Sequence, residues 1–366
     1  MNPLFLFDYD QCKNRFLQYQ TAIEKFWPDV DLRTFSLKDG TAMDFIHAAP
    51  HQADQLLIIS TGLHGIEGYV GAAMLEFFMK EFVHKLNHEK TALGLIHGIN
   101  SWGMKHFRKA NENNVDLNRN FVWDWSDATT LQNNEYEELN SLFHPKAHFS
   151  NRARQSLSFA WKLGQTLYKK NQKFITRAVT LGQYKDPKGA YYGGKDYEKI
   201  TKHLMEMYEA LFSVYTSIIL LDIHTGYGPK DDMYLVNSRY EYRTQADFTK
   251  QLGYPFIIST TPEKFYEING DMIDYIYRLQ QTTFPDRHLF ATTFEFGTLG
   301  DSLYGQFKSL QATIEETDHY VTKRGSRTSI RRLFQKLYAP SDEKWQNKAV
   351  ENAKQAFQGV INGFLL

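Results

Sequence analysis

The sequence predicts an α/β fold with three layers, in which helices cover both faces of a central mixed, mostly parallel sheet. Short apolar runs rich in Ile, Leu and Val, each bounded by Gly, Asn or Pro, recur between longer stretches with helical periodicity. Several of these runs are apolar almost throughout, as is typical of strands that are buried on both faces. Hydrophobic residues make up 42% of the 366 positions, which is enough for a sizeable core.

Each element follows from this alternation of patterns. The apolar runs predict strands at 55–60, 92–99, 218–223, 233–237, 256–260 and 289–296. The periodic stretches predict helices at 70–85, 198–215, 271–280 and 342–364. No internal repeat, low-complexity tract or linker rich in Pro, Gly or Ser marks a boundary, so we expect a single domain over residues 1–366.

Charge and cysteine content exclude several classes of protein. Lys plus Arg equals Asp plus Glu at 42 each, so no overall field attracts the chain to nucleic acid or to a membrane surface. Cys12 is the single cysteine, which excludes an internal disulfide and a thiolate-rich zinc site and favours a reducing compartment. No secretory signal and no apolar run near the length of a membrane span is present. We expect a soluble, cytoplasmic protein, while its oligomeric state is not specified.

Two candidate metal ligands, His64 and Glu67, lie in the run Thr61-Gly-Leu-His-Gly-Ile-Glu-Gly68. The run follows a predicted strand and precedes a predicted helix, which is where α/β sheets build their sites. A His and a Glu three positions apart on a tight turn can face one crevice, and the glycines let the backbone bend. Since His-x-x-Glu is common by chance, this motif alone does not distinguish a site from an ordinary turn.

A third candidate ligand, His224, ends the apolar strand Ile218-Ile-Leu-Leu-Asp-Ile-His224. Two imidazoles and one carboxylate form a ligand set that zinc accepts, with a fourth position left open for water. Asp222 lies two positions earlier, on the same face of the strand, where it could orient His224. We therefore expect one zinc ion at the carboxyl edge of the sheet.

A longer run, from Asn100 to Phe121, carries the more specific signal. It contains Phe-Arg108-Lys followed by Asp-Leu-Asn118-Arg119-Asn-Phe and resembles the pattern of the M14 zinc carboxypeptidases, in a branch of the DUF2817 type. The resemblance implies that Asn118 and Arg119 bind the terminal carboxylate of the substrate and that Arg108 faces the scissile carbonyl. A planar guanidinium can hold a carboxylate with two hydrogen bonds, which suits this assignment.

Three further assignments concern the second half of the chain. Glu295 is a lone carboxylate among apolar residues near the end of a predicted strand, which is rare unless the group is paired or functional. It resembles the catalytic glutamate of the family and would then act as the general base; an acid paired with a Lys or Arg is the alternative. By the same resemblance, Tyr266 is the tyrosine that closes over the substrate and Ile273 is a residue of the specificity pocket.

The predicted function is that of a zinc metallocarboxypeptidase acting on peptides. The resemblance covers about 55–300, and the long spacing between Arg119 and His224 implies an insertion at about 122–197. Within it, the Gly- and Tyr-rich stretch 182–194 is either a loop that shapes the pocket or an ordinary connection. The turn Thr225-Gly-Tyr-Gly228 is closer to that of aspartoacylase-like deacylases. A zinc amidohydrolase acting on N-acyl amino acids or another small carboxylated amide, and a non-catalytic metal- or peptide-binding module, therefore remain alternatives.

Overall fold

A computed structural model describes residues 1–127, 131–144, 152–259, 268–300 and 302–365. In these ranges the strands are β1 (Asp29–Ser36), β2 (Ala42–Ala49), β3 (Gln55–Thr61), β4 (Thr91–His97), β5 (Ser217–Thr225), β6 (Met233–Asn237), β7 (Ile257–Ser259) and β8 (His288–Phe296). The helices are α1 (Tyr9–Leu17), α2 (Tyr19–Ile23), α3 (Gly68–Glu81), α4 (Ser101–His106), α5 (Asn134–Glu138), α6 (Asn140–Phe143), α7 (Arg152–Lys169), α8 (Gln172–Thr180), α9 (Lys199–Val214), α10 (Gln245–Leu252), α11 (Met272–Thr283), α12 (Leu303–Thr322), α13 (Arg327–Tyr338) and α14 (Glu343–Val360).

The strands of these ranges form one mixed sheet in the order β1-β2-β4-β3-β5-β8-β6-β7. The central strands β4, β3, β5 and β8 run parallel to one another. At one edge β2 and β1 are added antiparallel, and at the other β6 is antiparallel to β8 and parallel to β7. A parallel centre with mixed edges confirms the predicted class of sheet.

Alternate residues of the central strands point to opposite faces of the sheet. In β5, Ile219 and Leu221 belong to one apolar cluster, whereas Ile218 and Leu220 belong to a second one. The first cluster includes residues of α1, α3 and α14, and the second includes residues of α9 and α11. Helices therefore cover both faces, and the three-layer prediction is confirmed.

Helix α9 shows how the sequence directs this packing. Its residues Ile200, Leu204, Tyr208 and Leu211 are buried and recur at intervals of three or four, so that they form one apolar stripe. The stripe faces the second cluster on the sheet. The opposite side of the helix carries Lys202, Glu206 and Glu209, which are exposed.

The strands missed by the sequence prediction are β1 and β2, which form an antiparallel edge. Burial along β1 alternates, and its charged residues Asp29, Asp31 and Arg33 interrupt any continuous apolar run. The predicted strand 256–260 corresponds to β7, and position 260 lies outside the described residues. In the described part of the chain, no helix combines the length and the apolar character that crossing a membrane requires.

Candidate metal centre

Three adjacent parallel strands end at the same edge of the sheet, and each positions a candidate residue there. His64 follows β3 after two intervening residues, and His224 is the penultimate residue of β5. Glu295 lies opposite His224 in the register of β5 and β8. Because carboxyl ends of parallel strands are where α/β sheets place their sites, the sheet itself brings these residues together.

The turn after β3 places His64 and Glu67 on one side of the chain. Gly62 takes a φ of +74°, which glycine adopts without steric penalty. The residues Gly65–Glu67 form one 3-10 turn that leads into α3. A Cβ at Gly65 would lie 2.3 Å from the backbone of Gly103, so only glycine lets this turn pack against α4.

The three candidate ligands meet at short distances. His64 Nδ1 lies 2.9 Å from Glu67 Oε1, and His224 Nδ1 lies 3.2 Å from both His64 Nδ1 and Glu67 Oε2. All three residues are buried, and one ligand atom from each lies within 4.8 Å of the others. Tetrahedral zinc with bonds of about 2.0–2.1 Å would hold two nitrogens roughly 3.3 Å apart. The spacing of the two imidazoles therefore fits a single ion of this kind.

The other nitrogen of each imidazole is held by a buried carboxylate. His64 Nε2 lies 3.1 Å from Asp116 Oδ1, and His224 Nε2 lies 2.5 Å from Asp222 Oδ2. Ser60 Oγ donates to the second oxygen of Asp222 at 2.6 Å. With the proton on Nε2, each Nδ1 presents its lone pair to the shared space, as metal ligation requires.

The charges of the cluster also support a cation. Burial alone would raise the pKa of Glu67, but the two imidazoles outweigh it and lower that pKa to about 2. Burial would lower the pKa of His224, but Asp222 and Glu67 together raise it well above its ordinary value. Thr225 N–H donates to Glu67 Oε2 at 2.9 Å, which favours the ionised carboxylate. A bound cation would replace the proton that His224 otherwise holds beside Glu67.

Glu295 lines the same cavity as the three ligands. Its Oε1 accepts a hydrogen bond from the backbone N–H of Tyr227 at 2.9 Å. Burial is the largest cause of the rise in its pKa to about 8, with Glu67 adding to the rise and His224 opposing it. A carboxyl group with a pKa near neutrality suits proton transfer at physiological pH.

Asn118 and Arg119 also line the cavity, and they differ in how their side chains are used. The Asn118 amide donates to Asp271 Oδ2 at 2.9 Å and accepts from Met272 N–H at 3.0 Å. Asn118 therefore connects the segment between α4 and α5 to the start of α11. Arg119 Nη1 donates to the Asn118 carbonyl at 3.0 Å, while its buried Nε–H has no hydrogen-bond partner among the described residues. Because an unpaired buried donor is costly, Arg119 is suited to an anionic ligand.

A family model described as "Protein of unknown function (DUF2817)" matches residues 5–352. The chain belongs to this family. No curated protein sequence matches it.

Solved structures similar to this DUF2817 protein include the following two. Bovine thrombin-activatable fibrinolysis inhibitor, in complex with tick carboxypeptidase inhibitor, is 14% identical, with 85% of this chain and 97% of that chain covered and a TM-score of 0.45. Carboxypeptidase A from Helicoverpa armigera is 13% identical, with 92% of this chain and 72% of that chain covered and a TM-score of 0.45. Identities this low do not carry over a substrate.

Arg108, which the sequence predicts to face the scissile carbonyl, is not among the described residues that line the cavity. Its Nε lies 2.5 Å from Oε1 of Glu316 on α12, and both side chains are buried. Its other nitrogens donate to Asn114 Oδ1 at 2.9 Å and to the Asn111 carbonyl at 3.2 Å, and the guanidinium stacks 3.4 Å from the Tyr320 ring centre. Breaking a buried ion pair costs about 3–5 kcal/mol. Arg108 of this DUF2817 protein thus connects the loop that follows α4 to α12 through a buried ion pair.

The remaining predicted residues have different outcomes. Tyr266 lies outside the described residues. Ile273 is buried in the first turn of α11 and lines the cavity. Tyr191, in the Gly- and Tyr-rich stretch, and Thr180 at the end of α8 line it too. The segment 122–197 therefore supplies part of the cavity wall in this DUF2817 protein.

Some residues of the cavity were not singled out from the sequence. Lys109 lines it, and its Nζ lies 3.2 Å from Asp116 Oδ2. Both residues stand in the run that contains Arg119, so the motif pointed to the segment without showing which side chains face inward. Tyr338 comes from the last turn of α13, and its carbonyl accepts from Thr225 Oγ1 at 2.6 Å. No local sequence pattern marks such a long-range contact.

Proposed function

We propose that this protein is a zinc-dependent hydrolase, and specifically a metallocarboxypeptidase that removes the C-terminal residue of a peptide. The observation that supports this most is the convergence of His64, Glu67 and His224, with Glu295 on the neighbouring strand. Two imidazoles and one carboxylate are a zinc ligand set that leaves a position for water. A carboxyl group beside that position supplies the proton transfer that hydrolysis needs.

Zinc bound by the three ligands would act as a Lewis acid toward the carbonyl and lower the pKa of water from 15.7 toward about 7. Glu295 accepts the proton of the attacking water, whose oxygen forms the new bond to the carbonyl carbon. The carbon–nitrogen bond then breaks, and Glu295 returns the proton to the leaving nitrogen. Burial raises the pKa of Glu295, and a raised pKa suits a group that must both take and give a proton.

Arg119 is assigned to the terminal carboxylate of the substrate. Its buried Nε–H lacks a partner among the described residues, and a guanidinium binds a carboxylate with good geometry. Asn118 positions Arg119 through its bridge to α11. Ile273 contributes an apolar surface to the pocket for the leaving residue.

Metal analysis and a hydrolysis panel test the proposal. The purified protein should contain one zinc per chain and should cleave a peptide with a free C-terminus, while the same peptide with an amidated C-terminus should be resistant. Wild-type protein that binds zinc but cleaves no member of the panel would favour a non-catalytic binding module.

The same panel should include N-acyl amino acids. A deacylase would use the same ligands, the same Glu295 and the same Arg119, because its substrates also end in a carboxylate. Higher kcat/KM for N-acyl amino acids than for peptides would assign the site to a zinc amidohydrolase.

A further inference from the structure

Three cationic side chains line the cavity within the described residues, and two of them have an evident use. Arg239 has its Nε 3.0 Å from Asp274 Oδ2. Arg119 is assigned above to the terminal carboxylate of the substrate. The third is Lys109, which follows directly after Arg108 in the chain and, unlike Arg108, faces the cavity.

The backbone of Lys109 is fastened to the turn that carries the metal ligands. Its carbonyl accepts from the backbone N–H of Gly65 at 3.1 Å and from Asn100 Nδ2 at 2.9 Å. The preceding carbonyl, of Arg108, accepts from Ile66 N–H at 2.8 Å. Since Gly65 and Ile66 stand between His64 and Glu67 in sequence, the position of Lys109 is fixed relative to the ligand set.

The ammonium group of Lys109 is held on the cavity side. Its Nζ lies 3.2 Å from Asp116 Oδ2, and the other oxygen of Asp116 lies 3.1 Å from His64 Nε2. The Lys109 side chain is 14% exposed, and its Nζ lies 5.8 Å from the centre of the Tyr191 ring. An ammonium has three N–H donors, so an ion pair with one oxygen of Asp116 leaves donors for a ligand.

We propose that Lys109, rather than Arg108, is the cation that faces the scissile carbonyl and stabilises the oxyanion that develops on its oxygen. This rests on the proposed hydrolytic function, and it deepens that function by naming the residue that carries the role. Arg108 is committed to Glu316, whereas Lys109 is anchored beside the ligands and keeps donors available. As water attacks, the carbonyl oxygen gains the charge that the Lys109 ammonium balances. Its electron pair then re-forms the carbon–oxygen double bond, while the electrons of the breaking carbon–nitrogen bond leave with the nitrogen, which takes its proton from Glu295.

A merely structural role for Lys109 predicts a different outcome. Lys109 would then only balance the negative charge of Asp116. Loss of Lys109 would change the contact between Asp116 and His64, and through His64 the affinity for zinc. Activity would follow zinc occupancy, and binding of an anion to fully loaded protein would not change. The two roles can therefore be separated by measurements on variants at known zinc content.

The test compares zinc-loaded wild-type protein with Lys109→Met, Lys109→Arg and a matched control, Lys105→Met. Lys105 is exposed on α4 and does not line the cavity. Three measurements are made: zinc content, steady-state kinetics (kcat and KM) for a peptide with a free C-terminus, and binding of methylphosphonate by calorimetry with and without zinc. Methylphosphonate is a tetrahedral anion that mimics the charge and shape of the developing oxyanion.

We expect Lys109→Met to keep its zinc, to lower kcat by about 10²–10³ and to leave KM within about threefold, as loss of an oxyanion donor does elsewhere. Its zinc-dependent binding of methylphosphonate should weaken about tenfold or more, since a charged donor is lost. Lys109→Arg should recover most of both quantities, and Lys105→Met should behave as wild type. If Lys109→Met fails to fold, Lys109→Gln serves for the same comparison.

The inference is overturned if Lys109→Met keeps kcat within about threefold of wild type, or if its activity falls only in proportion to zinc content. Failure of the proposed function would look different, because wild-type protein would then cleave nothing on the panel. In that case the binding of methylphosphonate still tests where the Lys109 ammonium lies. Weaker zinc-dependent binding in Lys109→Met supports a position beside the bound anion, and unchanged binding excludes that position.

Discussion

His224 and Glu295 are paired in the register of β5 and β8, so two adjacent strands present an imidazole and a carboxylate at the same level of the sheet. Their side chains have different partners. His224 Nε2 is bound to Asp222, whereas Glu295 accepts from the backbone N–H of Tyr227. Substitutions of the two residues should therefore have different effects: a change of His224 should weaken metal binding, and a change of Glu295 should lower turnover.

Replacing Glu295 with Gln should remove turnover and leave zinc in place. The amide cannot accept the proton of the attacking water, and loss of a general base lowers kcat by about 10²–10⁴. Zinc content and kcat of the purified variant provide the measurement, with Glu206→Gln on the exposed side of α9 as the matched control. Turnover close to wild type would assign the proton transfer to another group.

Replacing Asp222 with Asn should weaken zinc binding. Asp222 accepts from His224 Nε2 at 2.5 Å and from Ser60 Oγ at 2.6 Å, so it fixes both the orientation and the protonated nitrogen of the ring. Loss of such a partner typically lowers metal affinity about 10- to 100-fold. Competition with a chelator measures the affinity, and Asp286→Asn, at an exposed position, is the control. Unchanged affinity for zinc would mean that the other contacts of His224 hold its ring in place without Asp222.

Replacing Arg119 with Met should affect only substrates that have a free terminal carboxylate. A hydrogen bond to a charged group is worth about 1.5–3 kcal/mol, which corresponds to roughly a 10- to 150-fold loss in kcat/KM. The residual cleavage of an amidated peptide should not change, because it never used this contact. Arg332→Met, exposed on α13, is the matched control. An equal loss on both peptides would show that Arg119 acts on the fold of the loop.

The parts of the site that the sequence predicts are those that lie at the ends of parallel strands. His64, His224 and Glu295 each follow or end an apolar run, and parallel strands bring their carboxyl ends to one edge. The central strands could also be predicted, because burial on both faces makes them continuously apolar. The edge strand β1 has no such run, since its residues are exposed or only partly buried.

The choice between Arg108 and Lys109 could not be made from the sequence. The two residues are adjacent, and which of them faces the cavity depends on Glu316, 208 positions away in sequence. Tyr338 is another case, because its place beside Thr225 is set by the packing of α13. Such contacts arise from tertiary packing of long-range segments, which leaves no spacing in the local sequence.

Asp274 should make the stability of the protein depend on pH. It accepts from Ser238 Oγ at 2.5 Å and lies 3.0 Å from Arg239 Nε, but burial, with a further contribution from Asp271, raises its pKa from 3.8 to about 7. A raised pKa in the folded protein means that the fold prefers the protonated acid. The stabilisation from this proton is complete below about pH 3.8 and is lost as pH rises toward about 7.

The variant Asp274→Asn isolates this effect, because its amide does not ionise. The free energy of unfolding of wild type minus that of the variant should fall between about pH 4 and about pH 7 and level off above that range. Denaturant unfolding at several pH values measures the difference, and Asp286→Asn should show no such trend. A difference that stays constant across this range would mean that the pKa of Asp274 in the folded protein is not raised above 3.8.

Replacing Arg108 with Met should act first on stability. The Arg108–Glu316 pair is buried and joins the loop after α4 to α12, and removing one partner leaves the other charge unpaired, at a cost of about 3–5 kcal/mol. Denaturant unfolding should show this loss, and Glu316→Gln should show a similar one. In the double variant the two losses should not add, because the unpaired charge is gone. Arg332→Met controls for the loss of a surface arginine. If Arg108→Met instead kept its stability and lost kcat by about 10² or more, Arg108 would be the cation at the carbonyl and Lys109 would not.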